Sequence, residues 1–132
     1  MDFQVRETTY GQGDQKWLGS AHGTEAILPI TLDLSLFDDA DHYPDGFLPS
    51  GLALGKVTAT GVYGPYDDAL ATGVQTLVGH LFESVNVASD NTAGKAVGGL
   101  FMHGFVREAN LPDNHGVDAA GKVDAAGRLI YL

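Results

Sequence analysis

Residues 51–87 read GLALGKVTATGVYGPYDDALATGVQTLVGHLFESVNV, and the reading of this stretch decides the fold. From Val57 to Tyr63, apolar or small residues occupy the odd positions, with Lys56, Thr58 and Thr60 between them. A period of two predicts a half-buried strand. Gly64-Pro65 then predicts a turn, the acidic Tyr66-Asp67-Asp68 follows, and Gly73 opens a second β-rich run from Val74. The stretch carries no nucleophile, phosphate loop or clustered metal ligands. It reads as framework.

Outward from it, the strongest alternation in the chain precedes it. Leu28, Ile30, Leu32, Leu34 and Leu36 alternate with Pro29, Thr31, Asp33 and Ser35, which predicts a strand with one aliphatic face. Pro29 lacks an N–H, so it is expected at an edge or before pairing begins. Lys95–Ala109 (KAVGGLFMHGFVREA) predicts a strand buried on both sides, bulged at its glycines. The echo VDAAGK/VDAAGR at 117–128 predicts one short Ala-rich helix, capped by Asp118 and stopped by Gly127. Leu129–Leu132 suits a closing strand. The fold class is therefore mostly β, with one short C-terminal helix and an extended N-terminal arm.

That arm is residues 1–26, polar and glycine-punctuated, ahead of a compact domain at 27–132. Within it Phe3, Val5, Tyr10, Trp17 and Leu18 are the candidate partner-binding residues, because aromatic side chains dominate binding hot spots. The plainer reading makes Trp17 an anchor on the surface of the domain.

Bulk properties narrow the function. The 132 residues carry a formal charge of −10, and the seven Lys and Arg are scattered singly. Phosphate neutralisation needs concentrated basic residues, so nucleic acid is not an expected partner. Eighteen glycines favour tight turns and short strands over long helices. There are no cysteines and hence no disulfides. No apolar run is long enough to span a membrane as a helix. The first seven residues lack the basic start and apolar middle of a secretory signal, so synthesis in a cytoplasm is expected.

Chemical motifs are weak. His80 shares a strand face with Val78 and Phe82, and His103 one with Phe101 and Phe105, so pairing of those strands would bring the two imidazoles together. His22, His42 and His115 fall in loops. No HExxH spacing is present, and zinc needs three or four converging ligands. Ser50 in Pro49-Ser50-Gly51 lacks the G-x-S-x-G elbow of a nucleophile. Asp38, Asp39, Asp41 and Asp45 lie in a loop without EF-hand spacing, which reads as a solvated acidic loop. No catalytic, cofactor-binding or metal residues are assigned, and the chain is not expected to be an enzyme.

The order of features, however, carries a resemblance. The run FLPSGLALGKVTATGVYGPYDD…GVQTLVGHLFESVNV, the strand KAVGGLFMHGFVREANLP and the Ala-rich helix before a terminal strand resemble the head decoration proteins of tailed bacteriophages, the lambda-type capsid-stabilising or cement proteins. The likeness covers residues 27–132, most specifically PSG-x-x-L-G-K, G-x-Y-G-P-Y and G-x-x-T-x-V-G-x-L. It implies a small β-clip or β-tulip-like domain that forms homotrimers on the outside of the expanded capsid at threefold and quasi-threefold positions. There such trimers clamp the major capsid protein against the pressure of packaged DNA, and the N-terminal arm adds a strand to it. The virion surface is then the expected location. The alternative is a small β-rich binding module displayed on a phage particle for glycan or cell-surface attachment, with Tyr43, Tyr63, Tyr66, Asp67 and Asp68 as its groove.

Overall fold

The computed structural model describes residues 15–87 and 94–132. The chain is mostly β. Nine strands are described: β1 (Leu28–Asp33), β2 (Phe47–Leu48), β3 (Ala53–Lys56), β4 (Tyr63–Pro65), β5 (Gly79–Leu81), β6 (Val85–Asn86), β7 (Lys95–Phe101), β8 (Gly104–Val106) and β9 (Leu129–Tyr131). Two short helices, α1 (Asp39–His42) and α2 (Ala119–Asp124), replace the single one expected. Asp118 caps α2, its side chain accepting from the Gly121 N–H.

Five strands close into a barrel in the order β1-β4-β3-β5-β7. Closure is made by β1 and β7, antiparallel from Leu28↔Leu100 to Asp33↔Lys95. A closed barrel leaves no sheet edge among these five strands. Two small ribbons flank it: antiparallel β2–β6 and parallel β8–β9. Parallel pairing requires a long crossover, and residues 107–128, including α2, supply it.

The barrel is filled by Ile30, Leu32, Leu34, Leu48, Leu52, Leu54, Tyr63, Leu81 and Leu100. The register places Ile30 opposite Gly98 and Leu32 opposite Ala96, so the two buried side chains of β1 each face a small residue of β7. The reason is volume. A Cβ added at Gly98 would lie 2.9 Å from Leu32 Cδ1 and 3.0 Å from Leu81 Cδ1, and interiors this dense do not absorb an extra methyl without displacement. A second cluster, with Trp17, Ala53, Tyr66, Leu77, Phe101, Val106, Leu111, Ala125 and Leu129, packs between the barrel and the β8–β9 ribbon.

Several expectations are corrected. Val57–Tyr63 is not one strand: residues 57–62 are the loop joining β3 to β4, closed by Val57 N–H to Val62 O and Gly61 N–H to Val57 O, both 2.8 Å, and Tyr63 alone is paired, as the first residue of β4. Gly61 adopts φ 78°, outside the extended region, and residues 58–61 are exposed. Its alternation is that of a solvated loop. Gly64-Pro65, expected as a turn, is instead part of β4, paired with Gly55 and Leu54. The run expected from Val74 becomes a strand only at Gly79. β1 ends at Asp33, and Leu34–Leu36 forms a 3-10 turn that turns Leu36 outward. Pro29, expected at an edge or before pairing begins, sits in register with Gly99 of β7, while the pairing of β1 with β4 is at Leu32.

The run Lys95–Ala109 is two strands. The break falls at Met102-His103, and Gly104, at φ 144°, opens β8, so that β7 stays in the barrel and β8 leaves to pair with β9. Nor is β7 buried on both sides, since Val97 is 75% exposed.

Candidate functional site

The most concentrated polar chemistry lies where the two apolar clusters meet. His80, on β5, is held between Ala53 of β3 and Phe101 of β7. Its Nδ1 lies 2.8 Å from the Gly51 carbonyl oxygen and its Nε2 2.6 Å from the Tyr131 hydroxyl. A carbonyl oxygen only accepts, so Nδ1 carries the proton and Nε2 accepts from Tyr131. The side chain is fully buried. Burial pushes its pKa down to about 4, against a smaller opposing effect of the Gly51 hydrogen bond. The Tyr131 phenol is pushed up, mainly by burial and then by the Glu108 charge.

Beside it, Trp17 Nε1 donates to Ser50 Oγ at 2.9 Å, and Ser50 Oγ donates to the Phe82 carbonyl at 2.6 Å. Gln15 Nε2 donates to the same carbonyl at 2.6 Å. The Trp17 ring stands edge-on to Phe101 at 5.3 Å and tilts over His80 at 5.6 Å. Gly51, at φ 104°, makes the tight turn beneath, where a Cβ would meet Pro112 at 2.7 Å and Trp17 at 3.1 Å.

A serine and a histidine are thus close without forming a nucleophile–base pair. Ser50 gives its proton to Phe82 O, His80 gives its own to Gly51 O, and Ser50 is only 4% exposed. Every buried side-chain nitrogen and oxygen of the described residues has a hydrogen-bond partner. Fully satisfied networks of this kind fix one packing arrangement.

The candidate partner-binding residues separate. Trp17 is wholly buried and is neither an arm residue free to grip a partner nor an anchor on the surface. The described fold therefore begins before the boundary drawn at residue 26, with Gln15 and Trp17 already hydrogen-bonded into it. Leu18 is half-buried and bridges to Val106. Phe3, Val5 and Tyr10 lie outside the described residues. Nothing local in the sequence marks Trp17 as a core residue, because Ser50, His80 and Phe101 reach it from distant parts of the chain.

The remaining candidates have structural partners. In the acidic loop, Asp38 caps α1, its carboxylate accepting from the Ala40 N–H, while its own N–H donates to His42 Nδ1 at 2.8 Å. His115 Nδ1 accepts from the Val117 N–H at 2.9 Å. Burial lowers the pKa of both imidazoles. No group of three or more His, Asp or Glu side chains converges among the described residues. Tyr63 and Tyr66 are buried, and Tyr66 donates to Asp118 at 2.8 Å, so neither offers a ring to a glycan. His80 and His103 do not meet: the His103 ring lies 4.8 Å from that of His22.

Two depressions open on one side of the fold. One, of about 600 Å³, is lined by Glu108, Leu111, Pro112, Asp113, His115 and Leu132. The other, of about 190 Å³, lies between Asp41, His42, Pro44, Phe47, Pro49 and Asn114. Neither contains a serine or lysine.

What the surface presents is apolar area. Ile130 and Leu132 are 49% and 61% exposed and, two residues apart, lie on one face of the β9 segment. Phe105 is paired with Ile130 across the ribbon and is half-buried. Leu28, Leu36 and Val97 are exposed around the barrel. Comparison with protein-family models and with curated proteins finds no match for the chain.

Proposed function

We propose that the chain is a head decoration protein of a tailed bacteriophage, a cement protein that trimerises on the outer surface of the expanded capsid and braces the major capsid protein against internal DNA pressure. In this reading the barrel with its two ribbons is the β-tulip-like domain of that family. The observation that carries it is the outward apolar face of β8–β9, at Phe105, Ile130 and Leu132. Contiguous exposed apolar area marks association surfaces. A threefold ring needs two different patches to meet, and Leu28, Leu36 and Val97, individually exposed around the barrel, are the candidates for the second contact.

The net charge of −10 fits a protein that stays soluble until it docks. Capsid attachment is assigned to residues 1–14, with Phe3, Val5 and Tyr10 as its apolar contacts, and Trp17 is withdrawn from that role. Three such segments on one trimer raise effective concentration, so individually weak contacts give lasting attachment.

The test is co-sedimentation of the purified protein with expanded and unexpanded shells of the same phage, together with light scattering of the free protein. The reading expects pelleting with expanded shells only, and loss of association when Ile130 and Leu132 are changed to Asp in a folded variant. A protein that stays monomeric and pellets with neither shell overturns it.

A further inference from the structure

All five histidines of the chain are among the described residues, and they divide into two kinds. His42, His80 and His115 each have a ring nitrogen engaged by the protein. His22 and His103 do not: both are exposed, and no ring nitrogen of either is hydrogen-bonded to a described residue. These two rings face each other at 4.8 Å between centroids, tilted by 54°.

That spacing is compatible with one metal ion held by two imidazoles, and the His22 ring packs on its other side against Phe105 at 5.7 Å. With metal–nitrogen distances of about 2.0–2.1 Å and ligand angles from a right angle to tetrahedral, the ring centroids fall about 4.5–5.2 Å apart. Two parallel stacked rings would have no such angle between them.

The backbone holds the pair in place reciprocally. Gly23, at φ 87°, is buried against His103, and a Cβ there would fall on the His103 carbonyl oxygen. Gly104, at φ 144°, is buried against His22, and a Cβ there would lie 2.5 Å from the His22 carbonyl oxygen. Each histidine is therefore next in sequence to a glycine whose missing side chain lets the other's backbone approach. The His22 N–H is also fixed by Ser20 Oγ at 3.1 Å, and the Gly104 N–H by Arg128 O at 2.9 Å. The two glycines thus hold the backbones of His22 and His103 side by side.

We propose that His22 and His103 form a two-imidazole surface site for a divalent transition-metal cation of the zinc and copper(II) class, with water in the remaining positions. Neutral imidazole is the commonest protein ligand for these ions. The open positions distinguish it from a structural zinc site, which is closed by four protein ligands.

The experiment is a calorimetric titration of the full-length protein with zinc and with copper(II) near neutral pH, accompanied by nitrogen-detected NMR of the imidazoles. One ion per chain is expected, with copper(II) the tighter of the two; zinc should shift the resonances of His22 and His103 together, and paramagnetic copper(II) should broaden both. His22→Ala and His103→Ala should each weaken binding by at least about tenfold, and His42→Ala and His115→Ala should leave it unchanged. Each variant's thermal midpoint is measured first, and His22→Ala alone decides the matter if His103→Ala fails to fold. An apparent Kd weaker than about 1 mM for both ions, or affinity retained in His22→Ala, overturns the site.

Discussion

The Tyr131 hydroxyl reaches from β9 into the interior and donates a 2.6 Å hydrogen bond to Nε2 of His80, whose other nitrogen is bonded to Gly51 O. The outer ribbon is thereby tied to the barrel through His80, which is fully buried. Tyr131→Phe removes the donor and leaves His80 Nε2 buried and unsatisfied, at a cost of about 1–3 kcal/mol. Urea unfolding of the two proteins measures this, and an unchanged midpoint would show that the bond contributes nothing.

His80 also makes stability depend on pH. Its ordinary value of 6.5 applies to the unfolded chain, while burial holds it at about 4 in the fold. The unfolded state therefore takes up the proton first. The contribution is complete above pH 6.5 and is lost as pH falls towards 4, on the order of 3 kcal/mol in total. Asp33 and Asp118, held below the usual carboxylate range mainly by their hydrogen bonds to Ser35 and Gly121, lose theirs only at lower pH. His42 and His115 are also lowered and contribute with the same sign as His80, so the check is a difference. Unfolding free energy measured from pH 7.5 to 4 should fall more steeply for the native sequence than for His80→Asn.

Truncation should separate the two parts of the N-terminal segment. Deleting residues 1–14 removes none of the described core side chains, so the thermal midpoint should stay close to that of the full chain. Deleting residues 1–26 removes Trp17, and Trp17→Ala alone should cost about 3–5 kcal/mol. Equal midpoints for the two truncations would contradict the burial of Trp17.

Gly23→Ala should be more damaging than a loop substitution usually is. It places a side chain at a left-handed φ and onto the His103 carbonyl oxygen, so about 2 kcal/mol or more is expected. Gly46→Ala is the control, because Gly46 has a similar φ of 85° but open space around it. The pair of midpoints distinguishes steric conflict from backbone strain.

Asp118 serves two partners, the Gly121 N–H at the start of α2 and the Tyr66 hydroxyl, both at 2.8 Å. Asp118→Ala should cost about 1–2 kcal/mol, at the upper end for a lost cap because Tyr66 is left without its acceptor. Asp118→Asn retains the capping oxygen and should recover most of the loss. Thermal melts of the two variants provide the comparison.

The sequence by itself determined the β-rich class, the alternating strand from Leu28, the Asp118 cap and the lack of a short catalytic motif. Each of these rests on local rules: side-chain period, turn-forming glycine, and a carboxylate within reach of nearby N–H groups. Only the tertiary structure decided which alternating run became a strand. Val57–Val62 has the period but no partner strand, whereas Gly64-Pro65 lacks the period and pairs with β3. Residues 51–87 thus supply three barrel strands, β3, β4 and β5, at places that alternation does not mark. The same holds for Trp17, whose burial depends on Ser50, His80 and Phe101, and for His22 and His103, brought together by glycines that pack across the chain. Alternation records the two faces a strand would have. Pairing and burial depend on what the rest of the chain brings to each face, and that is settled only when the barrel closes.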